Sequence, residues 1–149
     1  MESVPVSERS ERRYFVVCTQ SLTSYWWTPL LRHSYSHCYL LVWEGAVWLY
    51  LDPVMNRAHV TILDLYEFHH PAEWLLDPQA RVFEAWPEAE SERLRTPWLF
   101  GPLTCVEIVK AFLGIGRFWI WTPWQLAQHL RKRRRQRELT EKFVVQGNI

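Results

Sequence analysis

Two apolar runs separated by a short polar break place the strongest constraint on what this chain can fold into. Residues 38–43 read CYLLVW and residues 46–51 read AVWLYL, with Glu44 and Gly45 between them. Runs of β-branched, aromatic and leucine residues on both sides of a tight turn predict a β-hairpin. The break also makes the apolar stretch too short to cross a bilayer, so no membrane association is expected.

The register of this hairpin brings a histidine next to a carboxylate. If the two break residues alone form the loop, Leu41 is opposite Trp48 and His37 is opposite Asp52. Directly opposed side chains lie about 4.5–5.5 Å apart at Cβ, which is within hydrogen-bonding reach. A carboxylate bonded to one imidazole nitrogen leaves the other nitrogen free as a base. The other interpretation is a surface His–Asp pair of small energetic value. Two alternatives for the orienting residue, neither opposite the histidine in this register, are Tyr50 and His59.

A second segment predicts a helix that begins at a cysteine. Thr104 is a natural N-cap, and Glu107 follows at the capping-box spacing, so Cys105 occupies the first helical position and Gly114 ends the helix. Unpaired N–H groups and the macrodipole favour thiolate over thiol there. For an isolated cysteine, the alternative is a small buried hydrophobe. The residues predicted to face the interior together with the cysteine are Ile108, Val109 and Phe112.

The cysteine count narrows the class of protein. The three cysteines are odd in number and form no CxxC motif, which argues against a disulfide scaffold or a zinc site and favours a reducing compartment. The pairs His33/His37 and His69/His70 lack acidic or cysteine partners at useful spacing. We therefore expect neither a metal ion nor another cofactor.

Composition and the chain's start suggest where it resides. The 149 residues suffice for one domain with a core, and a net charge of +1 argues against a whole-protein nucleic-acid or membrane footprint. The N-terminal MESVPVSERSERR has no apolar segment typical of a secretory signal. We expect a soluble protein that is cytoplasmic at synthesis.

The remaining segments complete an α+β domain with an antiparallel sheet packed on the cysteine-bearing helix. Residues 1–13 are predicted to form a mobile arm, 14–130 the domain, and 131–149 a basic helical end and tail. Further strands are predicted at 14–18, 58–63 and 80–85, a short helix at 69–76, a short strand or buried connector at 117–121, and a last helix capped by Thr122 with Pro123 and Gln125 behind it.

Two quoted segments, SHCYLLVWEG and TCVEIVKAFLGI, resemble the circularly permuted branch of the papain-like (NlpC-like) cysteine hydrolases. In that branch the histidine precedes the cysteine and opens a strand, and the nucleophile heads a helix. Ser36 and His37 match the histidine motif, Thr104 and Cys105 match the nucleophile motif, and Asp52 falls near the orienting position. The resemblance extends over roughly residues 14–130. It implies an oxyanion site at the Cys105 N–H, with a second donor that PWLFGPLT, lacking Gln and Asn, does not supply.

The resemblance implies a thiol hydrolase of amide bonds in which Cys105 attacks, His37 transfers the proton and Asp52 orients His37. The segment TPWQLAQHLRK also resembles small phage-encoded proteins of this type, which implies peptidoglycan peptides as substrate and association with a virion or tail. The alternative is a catalytically idle virion or tail component on the same fold.

The ten tryptophans indicate either a well-filled core or a partner surface, for example towards other virion proteins. Those at 26, 27, 98, 119, 121 and 124 flank the predicted site, where they line a groove or pack the core. The basic run 131–135 (RKRRR) is typical of a solvated helix end, and it lacks the interleaved aromatics of a nucleic-acid site.

Overall fold

Five strands form one antiparallel sheet. The structure, a computed structural model, describes residues 12–20, 28–54, 57–88 and 104–146. The strands are β1 (Arg13–Thr19), β2 (His37–Trp43), β3 (Trp48–Val54), β4 (Arg57–Leu63) and β5 (Arg81–Ala85). Their order across the sheet is β4–β3–β2–β1–β5, so β2 occupies the centre. The strand that opens with the candidate base is therefore hydrogen-bonded on both sides.

Two helices follow the sheet. They are α1 (Cys105–Leu113) and α2 (Pro123–Gln146). α1 packs against β2 and β3, whereas α2 packs against β5 and β1. Two short 3₁₀ turns, Thr28–Leu30 and Pro71–Glu73, lie in the connections. The architecture is α+β, with both helices on one face of the sheet.

Each face of the sheet has its own core because side chains alternate along the strands. On the helix face, residues of β1 and β2 such as Val16 and Leu40 pack against Val109 and Leu126 of the helices. The opposite face is aromatic and is covered by the chain after β4; its fully or nearly fully buried members are Phe15, Val17, Tyr39, Leu41, Trp43 and Trp48. Most of the aromatic side chains of β2 and β3 thus fill a core.

The hairpin of β2 and β3 has a longer loop than the sequence predicted. Leu41 pairs with Tyr50, not with Trp48, so residues 44–47 connect the strands. A backbone hydrogen bond of 3.1 Å joins the two ends of this connection. The predicted two-residue turn was wrong because the apolar Ala46 and Val47, which resemble strand residues in the sequence, belong to the loop.

The two-residue shift in register preserves the relation between His37 and Asp52. Because side chains alternate with a period of two, a slip of two positions keeps both residues on the face they were predicted to share. They become diagonal neighbours instead of direct ones. Diagonal positions on adjacent strands remain within reach of long side chains, so the loop error does not separate the pair.

α1 begins and ends where the sequence predicted. Thr104 accepts a hydrogen bond from the Glu107 N–H at 3.3 Å, and Gly114 adopts the left-handed conformation with φ of 67° that ends the helix. The Glu107 side chain does not complete the capping box but binds Lys110 at 2.6 Å. The single capping hydrogen bond from the Glu107 N–H to Thr104 is enough to make Cys105 the first helical residue.

The buried stripe of α1 is rotated from the prediction. Val106, Val109 and Leu113 are the buried apolar positions, whereas Phe112, which was predicted to face the interior, is 54% exposed. Cys105 consequently lies at the border of the stripe and is half-buried. A residue at this border packs against the core and is still partly exposed.

Several other predicted elements can be compared with the structure. Residues 117–121 form a turn that buries Ile120 and exposes its neighbours, and the predicted helix at 69–76 contracts to the 3₁₀ turn. Thr122 and Gln125 form the reciprocal capping box expected for α2, with hydrogen bonds of 3.2 and 3.1 Å. α2 extends far into the segment predicted as a basic end and tail.

The predicted arm falls almost entirely outside the described residues. Of residues 1–13 only Arg12 and Arg13 are described, and Arg13 already belongs to β1. Residues 89–103, which precede α1, also lie outside them. Within the described ranges, no helix is both long enough and apolar enough to cross a membrane.

Candidate active site

The site is built around the first residue of the central strand. His37 opens β2, and its Nε2 atom lies 2.7 Å from Oδ1 of Asp52 on β3. Both side chains are about four-fifths buried, with exposed fractions of 22% and 23%. A short bond in a partly desolvated setting fixes the imidazole ring more firmly than a surface pair would. The predicted His–Asp pair is therefore present, through diagonal positions.

Tyr50 is linked to the His–Asp pair through Asp52. Its hydroxyl donates to Oδ2 of Asp52 at 3.0 Å, so both carboxylate oxygens are engaged. His59 stands directly opposite Asp52 in the pairing of β3 with β4. Of the two alternatives raised for the orienting role, Tyr50 supports Asp52, and Asp52 itself contacts the imidazole.

α1 delivers the thiol to the free side of the imidazole. The Cys105 thiol and the His37 imidazole lie within hydrogen-bonding reach of each other. Because Asp52 occupies Nε2, the nitrogen that serves Cys105 is Nδ1. The three residues predicted as catalytic, which come from two strands and a helix, thus form one continuous chain from thiol to imidazole to carboxylate.

A fourth residue, Cys38, was not predicted to take part. Its side chain is fully buried, and it bonds Cys105 twice, through its thiol and through its backbone N–H. The sequence treats Cys38 as one more apolar residue of the strand. The only signal was its place beside His37 at the start of the strand.

The contacts of Cys105 stabilise its thiolate. They hold the pKa of this thiol well below its ordinary value, and the largest cause is the hydrogen bond from the Cys38 thiol. Burial acts in the opposite direction, whereas the hydrogen bond and charge of His37 and the Cys38 N–H lower the pKa further. The first turn of α1 adds its unpaired N–H groups and dipole in the same sense.

His37 is correspondingly favoured as a cation. Burial is the largest single influence and lowers the pKa of this imidazole, but the hydrogen bonds and charges of Cys105 and Asp52 together outweigh it, so the pKa is raised. A lowered thiol pKa beside a raised imidazole pKa defines a thiolate–imidazolium pair. That pair exists over the pH range between the two values.

The other two cysteines behave differently. The bond to Cys105 and full burial both raise the pKa of Cys38, which stays protonated as the donor. Burial raises the pKa of Cys18 to about 12, and its thiol contacts the Pro123 carbonyl at 3.8 Å. Only one of the three thiols is therefore prepared for nucleophilic chemistry.

The described residues form no cluster that could hold a metal ion, and the cavity along α2 lies apart from the candidate catalytic residues. Within the part of the chain that the structure describes, no three His, Cys, Asp or Glu residues are grouped to hold a metal ion. A cavity of about 670 Å³ runs along α2, and its walls include Trp119, Trp124 and His129. None of the candidate catalytic residues lines that cavity.

The tryptophans predicted to flank the site differ in how exposed they are. Trp119 and Trp121 are 50% and 69% exposed, and Phe118, which also lies between α1 and α2, is exposed too. Trp124 is half-buried, with the Arg32 guanidinium 3.9 Å from its ring centre. The tryptophans at 26, 27 and 98, like the PWLFGPL segment before Thr104, lie outside the described residues.

The basic run of α2 is largely paired within the chain. Arg133 binds Glu88 at 3.2 Å, Arg134 binds Glu138 at 2.8 Å, and Arg131 donates to the Tyr35 hydroxyl. Helical i,i+4 pairs of this kind give a few tenths of a kcal/mol. Much of the charge that a nucleic acid would use is thus already engaged.

Comparison of the chain with family models, curated proteins and solved structures finds no match.

Replacing Asp52 tests its role as a positioning residue. In an acyl transfer at Cys105, Asp52→Ala should slow the reaction by on the order of 10⁴-fold, because the imidazole loses its fixed orientation. Asp52→Asn keeps an acceptor oxygen but removes the charge that raises the His37 pKa, so the alkaline limit of the pH–rate profile should move to lower pH. Tyr50→Phe is the matched control, since it removes only the outer hydrogen bond. An unchanged profile in Asp52→Asn would contradict the proposed role.

Proposed function

We propose that the protein is a thiol hydrolase that cleaves amide bonds through an acyl-enzyme on Cys105. The observation that carries the proposal is the convergence of Cys105, His37 and Asp52 in a single hydrogen-bonded chain. Buried ion pairs occur for purely structural reasons too, but a thiolate at a helix start, served by an oriented imidazole, has the geometry of an activated nucleophile.

The chemistry follows from the ring nitrogens of His37. The Cys105 thiolate attacks the substrate carbonyl, and the oxyanion that forms lies near the N–H groups of the first turn of α1. The imidazolium then donates its Nδ1 proton to the departing amine. Neutral His37 next accepts a proton from water, which attacks the thioester and releases the acid. Asp52 holds Nε2–H throughout, so the same nitrogen faces the reaction in both steps.

The substrate class rests on the resemblance to permuted papain-like hydrolases and to phage proteins. We propose amide bonds in peptides, with peptidoglycan stem peptides or crosslinks as the natural target. The 117–121 turn exposes aromatic side chains that offer apolar contact area to a bound peptide.

The competing proposal is a structural component of a virion or tail on the same scaffold. The exposed aromatics of the 117–121 turn favour it, since large exposed apolar side chains often mark contact surfaces. Under this proposal the thiolate serves no turnover.

A burst measurement separates the two proposals. The protein is mixed with the p-nitrophenyl ester of an N-acyl amino acid, an activated acyl donor that makes few demands on specificity. We expect a rapid release of about one equivalent of nitrophenol per protein, followed by slower turnover, as acyl-enzyme kinetics require. Peptide mapping of the quenched reaction should find the acyl group on Cys105.

The control is built into the chain, because Cys18 and Cys38 report on non-specific acylation. Acyl groups spread over all three cysteines, or no burst with several different esters, would contradict the hydrolase proposal and favour the structural one. Peptidoglycan peptides are then tested for the appearance of new amino groups.

A further inference from the structure

The mechanism above gives the thiol of Cys38 no chemical step. It is fully buried in the helix-face core, where Cys105 packs against the same cluster. Two hydrogen bonds join the residues, one from the Cys38 thiol to the Cys105 sulfur and one from the Cys38 N–H. The Cys38 thiol therefore lies within hydrogen-bonding reach of the Cys105 sulfur.

We propose that Cys38 is a resolving thiol, which captures Cys105 after oxidation by a hydroperoxide and forms a reversible Cys38–Cys105 disulfide. The proposal uses the thiolate on which the proposed function also depends, but it does not require any substrate to be hydrolysed.

The redox steps balance with the peroxide as the oxidant. The Cys105 thiolate attacks one peroxide oxygen; an S–O bond forms, the O–O bond breaks, and the leaving hydroxide takes the His37 proton to become water. The Cys38 sulfur then attacks the sulfenic sulfur of Cys105; the S–S bond forms, the S–O bond breaks, and the hydroxide leaves as a second water with the Cys38 proton. Two thiols are oxidised and one peroxide is reduced to two waters.

The geometry selects Cys38 over Cys18 as the partner of Cys105. Cys18 is paired with Cys38 across β1 and β2, so it is close to Cys38, but its own thiol is directed to the Pro123 carbonyl. Cys18 and Cys38 are both fully buried, whereas Cys105 is half-buried and meets an oxidant from solvent. Oxidation begins at the accessible thiolate, and the thiol already bonded to it is Cys38.

The consequence of the disulfide is protection of the nucleophile. A sulfenic acid with no neighbouring thiol proceeds to sulfinic and sulfonic acids, which thiol reductants do not reverse. A disulfide returns to two thiols by exchange with a small dithiol. The site is thus switched off under oxidation and recovered afterwards.

The test titrates the full chain with hydrogen peroxide and maps its cysteines without reduction. In the wild type we expect a Cys38–Cys105 crosslinked peptide pair, which disappears on treatment with dithiothreitol. In Cys38→Ala, where that thiol no longer captures the sulfenic acid, we expect loss of the crosslink, with oxidised Cys105 ending as sulfinic acid instead. Cys18→Ala is the matched control, another buried cysteine removed from the neighbouring strand, and it should retain the crosslink.

Two results would overturn the proposal. One is a wild type in which Cys105 reaches sulfinic acid without crosslinking; the other is a crosslink between Cys18 and Cys38. Both are read from the wild type, so they stand even if a variant misfolds. A Cys38–Cys105 crosslink without any acyl burst would remove the hydrolase proposal and leave this one intact, whereas a burst without the crosslink would do the reverse.

Discussion

Cys105→Ala is expected to abolish hydrolysis while the sheet and both helices stay in place. The loss should be on the order of 10⁶-fold in kcat, the scale seen when a covalent nucleophile is removed. Cys105 is at the border of the α1 stripe, so alanine leaves little empty volume and keeps the N-cap of Thr104. Circular dichroism checks the fold, and nitrophenol release from the activated ester measures the activity.

Cys18→Ala is the matched control for this prediction, because it removes a fully buried thiol that touches no reacting group. It should keep its burst, although the small cavity lowers stability somewhat. A Cys105→Ala protein that still shows a burst would place the nucleophile elsewhere.

Cys105→Ala also changes how the stability of the fold depends on pH. The pKa of Cys105 is lower in the folded chain than in an unfolded one. Its contribution to the free energy of unfolding is therefore present above the ordinary thiol pKa and is lost as the pH falls through the folded value. The difference in the free energy of unfolding between the wild type and Cys105→Ala, measured by urea unfolding, should accordingly become smaller as the pH is lowered.

His37→Ala is expected to remove the reactivity of Cys105 near neutral pH. The variant loses a hydrogen bond and a positive charge that both lower the thiol pKa, so the alkylation profile with iodoacetamide should move towards the ordinary range of a free thiol. Hydrolysis should fall by about 10²–10⁴-fold, the usual share of a general acid–base group. Cysteine-resolved mass spectrometry measures the alkylation rate from pH 5 to 10.

His59→Ala is the control for this second prediction, since it removes an exposed histidine opposite Asp52. The alkylation profile of Cys105 in His59→Ala should match that of the wild type. In the wild type, Cys105 alone should react below neutral pH, while Cys18 and Cys38 stay slow. If the profile of Cys105 is the same with and without His37, the thiolate–imidazolium pair is absent and the proposed mechanism fails.

Features that depend on a few neighbouring residues were predictable from the sequence. The start of α1 follows from Thr104 and its spacing to Glu107, and the end follows from a glycine that can adopt positive φ. The His37–Asp52 pair was also predictable, although for an incomplete reason. The loop was misjudged by two residues, and alternation along the strands kept the two side chains on one face.

Features that depend on how separate elements dock were not predictable. Cys38 is an ordinary strand residue until α1 sets its first turn against the start of β2. The exposed turn at 117–121 is a second example, because its aromatic content suggested a short strand or a buried connector. There, Lys110 of α1 donates to the Ile120 carbonyl at 3.0 Å, and this tertiary bond holds the turn in a conformation that buries only Ile120.

The separation of the site into a local half and a distant half bears on how the chain folds. The imidazole and carboxylate are 15 residues apart on adjoining strands, whereas the thiol arrives from a helix far along the chain. Contacts of short sequence separation cost less chain entropy and tend to form first. A nascent or partly unfolded chain can thus hold its acid–base pair while its thiol remains an ordinary one. The Cys105 thiol becomes nucleophilic only when α1 docks, so the chain is unreactive before that step. During refolding, the rate at which a thiol reagent begins to react with Cys105 therefore reports the docking of α1.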